Sequence, residues 1–247
     1  MATIQIAVMN ESNILTDQQV RAVVPTLQTQ VHRDFAAAWG IDADLVFIPR
    51  GSQPASGAWW LTILDNSDQA GALGYHELTS EGLPIAKVFA ADDMKAGYQW
   101  TVTTSHELLE MLADPDINLT VFVQSTQQNG TLYAYEVCDA CEAESYGYSI
   151  NGTPVSDFVY PTWFESFRQP NSARFDHSSA IHRPFELLPG GYIGVFKVEA
   201  GSGWQQLTAD THLPKNYHKR QTRYGEGSRS SRRLKPRDQW QRSTIHR

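Results

Sequence analysis

The sequence predicts an α+β fold: a twisted mixed sheet with a long packing helix and a second helix bearing a histidine and two glutamates, followed by a loop-rich β half. Three observations carry this. The first ninety residues hold four strand-like runs and one strongly amphipathic stretch. A second helical run ends at Asp114-Pro115, where proline disfavours a helical residue before it. Beyond it lie short alternating runs separated by Gly, Asn, Ser and Pro.

In order, TIQIAVMN (3–10) reads as the first strand. Thr16 then offers an N-cap for a helix over about 16–38, with Val20, Val23, Val24, Leu27, Val31 and Phe35 on one stripe and Pro25 as a kink. DLVFIPRG (44–51), WWLTILDN (59–66) and PIAKVFA (84–90) are three further strands, the last expected at a sheet edge. The histidine helix, about 97–113, follows directly on the third of them. NLTVFVQS (118–125) and TLYAYEVCD (131–139) form a hairpin, 147–164 holds a short strand with a turn at Asn151-Gly152, and 190–209 reads as another hairpin.

A chain of 247 residues with 41% hydrophobic residues, 7 Trp, 10 Tyr and 10 Phe can bury a substantial core. No apolar run reaches the roughly eighteen residues of a membrane span, and the start shows no Sec signal. A cytoplasmic or assembly-associated location, in a virion or shell, is expected. The net charge of −7 conceals an asymmetry: residues 215–247 hold 11 basic against 2 acidic residues, net +9, leaving 9 basic against 25 acidic, net −16. Residues 1–213 are therefore expected to be the folded domain, and 214–247 a basic tail, disordered when alone. Its partner would be nucleic acid or another anionic assembly.

The chemistry concentrates in TTSHELLEMLADP (103–115). On a helix His106 and Glu110 lie one turn apart on one face, with Glu107 to the side. That is the spacing of a metal site with an attendant base, although the familiar pattern, H-E-x-x-H, has histidine where this chain has Glu110. The flanking Leu108, Leu109, Met111 and Leu112 imply a buried helix, whose carboxylates need partners.

With SHELLEMLADP and the downstream EVCDAC, the sequence resembles the zincin-like metallopeptidases, and within them bacterial, phage and plant EXORDIUM-type proteins with H-E-x-x-E. The resemblance spans roughly residues 1–200, its specific part about forty of them. It implies a zincin-like fold and a peptide or protein substrate cleaved with zinc, or another divalent cation. His106 and Glu110 match the helix ligands, and Glu107 the general base acting on water at the ion. A third ligand would come from Glu136, Asp139 or Glu142, with Asp139 favoured and Glu136 next. Whichever of Glu136 and Asp139 does not bind would orient His106 through its other ring nitrogen.

Other residues offer weaker constellations. His177, Tyr146 and Tyr148 are candidates to hydrogen-bond an oxyanion. Cys138 and Cys141, with His177 and His182, would make a different, structural site, but a lone C-x-x-C more simply reads as reduced, partly buried thiols. His32, His76 and His212 carry no constellation and are assigned to packing. The non-enzymatic alternative is a metal-stabilised structural protein docking through its basic tail.

Overall fold

The computed structural model describes residues 4–69, 71–198 and 203–209, so the basic segment 214–247 lies outside the described residues. The described chain is mixed α+β. Strand β1 (Ile4–Asn10) leads to helix α1 (Asp17–Thr29), which continues through a π-helical segment (Gln30–Phe35) into α2 (Ala36–Trp39). Thr16 caps α1 in a reciprocal capping box: its hydroxyl oxygen accepts from the Gln19 N–H, and the Gln19 side chain accepts from the Thr16 N–H. The helical run ends at Gly40, whose φ of 68° is the left-handed conformation that favours glycine. The expected 16–38 helix is therefore present, with Pro25 inside its regular part and the wider π turn beginning five residues later.

Strands β2 (Ala43–Ile48), β3 (Trp59–Leu64), β4 (Gly74–Leu78) and β5 (Pro84–Phe89) complete a five-stranded sheet in the order β2-β1-β3-β5-β4. All neighbours run parallel except β4, which is antiparallel to β5. This corrects the sequence reading at one point. Residues 84–90 are not an edge: β5 is hydrogen-bonded on both sides, and the edges are β2 and β4, the latter not signalled by GYHEL. A Gly at the first position and only two apolar side chains hide it from strand propensity.

A short helix α3 (Ala90–Ala96) also intervenes before the histidine helix α4 (Trp100–Ala113), so the latter does not follow directly on β5. Gly97, at φ 84°, ends α3 and lets the chain turn. Helix α4 is buried from Thr101 to Ala113, packed between the sheet (β5 and β4) and a later hairpin. It stops where expected. The Asp114 backbone leaves the helical region, and its side chain accepts hydrogen bonds from the Asn118 and Leu119 N–H groups at 2.9 and 3.1 Å.

Downstream, β6 (Thr120–Gln124) and β7 (Gly130–Ala134) form the predicted hairpin. Residues 136–139 do not extend β7, because the chain breaks into a 3₁₀ turn at Asp139–Cys141. The small hairpin β8 (Tyr148–Ile150) and β9 (Thr153–Val155) turns at Asn151-Gly152, both at positive φ as a primed turn requires. Strands β10 (Tyr192–Lys197) and β11 (Trp204–Thr208) complete a second, antiparallel sheet of order β11-β10-β7-β6. One continuous core joins the inner faces of both sheets to α1 and α4, from Ile6 and Leu27 through Leu108 and Met111 to Trp163 and Val195.

Candidate metal centre

Three elements meet around the inward face of α4. The helix contributes His106, Glu107 and Glu110, strand β4 contributes His76, and the segment after β7 contributes Glu136 and Asp139. All six residues are buried, none more than 2% exposed. Period-two alternation explains His76: Tyr75 and Glu77 face away with Lys87, while His76 points toward α4. Gly74 permits the approach. A Cβ there would sit 2.7 Å from Glu107 Cγ, inside any real contact distance.

His106 Nε2 lies 3.3 Å from Glu110 Oε2 and 3.3 Å from Asp139 Oδ1. His76 Nδ1 is 3.7 Å from Glu107 Oε2 and 3.9 Å from Glu110 Oε2, and its Nε2 is 4.0 Å from Glu136 Oε2. Glu110 Oε1 accepts a hydrogen bond from the Cys138 N–H at 3.2 Å, which turns Oε2 toward the histidines. Among the described residues, two trios place one donor atom each within 4.8 Å of one another: His106–Glu107–Glu110 and His76–Glu110–Glu136.

Burial works against a charge on His106, but Glu110, Asp139 and Glu107 outweigh it and hold the imidazole well above its ordinary 6.5. A buried cluster so rich in carboxylate calls for positive charge. The donor set fits a divalent cation. Ligand atoms about 2.0–2.2 Å from tetrahedral zinc stand roughly 3.3–3.6 Å apart, and both contacts of His106 Nε2, at 3.3 Å, match that spacing.

Of the sequence-predicted residues, His106, Glu107, Glu110, Glu136 and Asp139 are brought together, while Glu142 is buried nearby in sequence. His177 belongs to neither trio. His177 is sandwiched between Tyr148 and Phe158, with Nε2 3.9 Å from Asp34 Oδ2, and burial lowers its pKa. The Tyr146 carbonyl accepts from the Ser178 hydroxyl at 2.7 Å. Cys138 and Cys141 are free, buried thiols, and burial, followed by neighbouring carboxylates, pushes both well above the ordinary thiol value. The residue missed was His76. Its only sequence signal is Gly-x-His alternation in a run too poor in apolar residues to be read as a strand.

Comparison with protein-family models, curated proteins and solved structures finds no match to this chain. Among the described residues no helix is long and apolar enough to cross a membrane.

Proposed function

We propose that this chain is a zincin-like hydrolase that cleaves peptide bonds with a divalent cation, zinc in the first instance. One observation carries the reading: the donor atoms of His106, Glu107 and Glu110 converge on the buried face of α4, beside an antiparallel edge strand. His106 and Glu110 would hold the cation, with Asp139 or Glu136 completing the set. When bound, the ion supplies Lewis acidity toward a carbonyl and acidifies water. Glu107 takes up the proton at its carboxylate and returns it to the leaving amine. His76 faces the Glu107 carboxylate and steadies it. Strand β4, rather than residues 84–90, is where an extended substrate would add to the sheet.

The burial of every donor favours a second reading. Structural metal sites are closed, whereas catalytic ones keep a position open, and all five residues of β4 are buried as well. In that reading the ion ties α4 to β4 and the 136–139 segment, and residues 215–247 dock the protein on nucleic acid or an anionic assembly. The two readings separate in one experiment. Cleavage of a mixed unstructured peptide pool that stops on chelation and returns with zinc supports the hydrolase. Chelation that unfolds a protein with no measurable cleavage supports the structural role.

A further inference from the structure

The two donor trios share Glu110 but divide the histidines, His106 in one and His76 in the other. We infer that the cluster holds two divalent cations bridged by Glu110, the second on His76 and Glu136. This rests on the cation site of the proposed function and adds a second ion beside it.

Geometry and donor number both carry the inference. The Cys138 N–H occupies Glu110 Oε1, and Glu110 Oε2 faces His106 Nε2 at 3.3 Å on one side and His76 Nδ1 at 3.9 Å on the other. One carboxylate oxygen between two imidazoles is the arrangement of a bridging ligand, and bridged ions lie about 3.5–4 Å apart. Glu136 Oε2, 4.0 Å from His76 Nε2, comes from the segment opposite β4, and one donor atom each of His76, Glu110 and Glu136 lies within 4.8 Å of the other two, so a single ring nitrogen of His76 is in reach of both carboxylates. Glu107 Oε2, 3.7 Å from His76 Nδ1, belongs to the His106 trio while facing the His76 side.

The number of donors points the same way. His76, His106, Glu107, Glu110, Glu136 and Asp139 are six buried donor residues, each at most 2% exposed, and a tetrahedral zinc takes four ligands.

The test is metal stoichiometry and spin coupling on the full chain, with zinc for elemental analysis and Mn²⁺ for electron paramagnetic resonance. Wild-type protein is expected to retain two equivalents of zinc and, loaded with Mn²⁺, to show an exchange-coupled signal. His76→Ala and, as an independent variant, Glu136→Gln should each retain one equivalent and show only an uncoupled Mn²⁺ signal. One equivalent in the wild type, unchanged in both variants, overturns the second site and leaves the first standing. No zinc retained by folded wild type overturns both this inference and the proposed function. Two equivalents that persist in His76→Ala and Glu136→Gln place the second ion elsewhere and overturn the assignment.

Discussion

Gly74→Ala tests whether β4 and α4 are packed so closely that only a hydrogen fits between them. The new Cβ would fall 2.7 Å from Glu107 Cγ, 2.8 Å from Thr103 Cγ2 and 2.9 Å from Glu107 Oε1. Carbon pairs settle at about 3.5–4.0 Å, so the two side chains must withdraw by roughly 0.7 Å or more. Neither element moves freely. Gly74 is in register with Val88 of β5, and the Thr103 hydroxyl donates to Asp93 Oδ1 at 2.8 Å. Overpacking of this kind costs about 1–3 kcal/mol, which in a chain of this size lowers Tm by roughly 2–12 °C. Calorimetry measures that loss, and peptide cleavage by the same sample should fall because Glu107 is displaced. A melting point within about 1 °C of wild type, with unchanged cleavage, would refute the close packing and the position given to Glu107.

Removal of either helix ligand should remove the ion. In His106→Ala and Glu110→Ala the thermal stabilisation on adding zinc, about 2.7 kcal/mol when free metal is a hundredfold above Kd, should vanish, and Asp139→Ala should weaken binding more than Glu142→Ala. A second prediction concerns the buried pair Asp157 and Asp176: burial, then the charge and hydrogen bond of Asp176, push Asp157 up to about 8. Its unfolded form ionises near 3.8, so its contribution is fully present below that value and is lost as pH rises toward about 8. Asp157→Asn should flatten this part of the pH–stability profile, and an unchanged slope in denaturant titrations would contradict it. Finally, a chain ending at Leu213 should melt as the full chain does but lose salt-sensitive binding to polyanions, since the net +9 of residues 215–247 would be gone. Equal polyanion binding by both chains at low salt would exclude the tail as the contact.

Much of the first sheet was legible because its central strands are near-continuous apolar runs. IQIAVMN and PIAKVF are buried over most of their length, as strands with covered faces are. The capping box at Thr16 and Gln19 marked the start of α1, and Asp114-Pro115 the end of α4, because both signals are local chemistry. What failed was non-local. Nothing within GYHEL reveals that it pairs with β5 from the outside, so the sequence alone puts an edge at 84–90 and His76 in packing. Helix α4 shows its own three candidate site residues by spacing alone. Glu136 and Asp139 were legible as a short acidic segment, but their separate approaches to His76 and His106 depend on the break after β7.

In the proposed hydrolase Glu107 moves a proton while its neighbours hold the ion, and Glu107→Gln separates the two roles. The substitution keeps the shape of the side chain and removes its basicity, so the variant is expected to fold and retain its metal, with kcat for peptide cleavage reduced by about a hundredfold to ten-thousandfold. Cleavage at the wild-type rate by the metal-loaded variant would rule out Glu107 as the base.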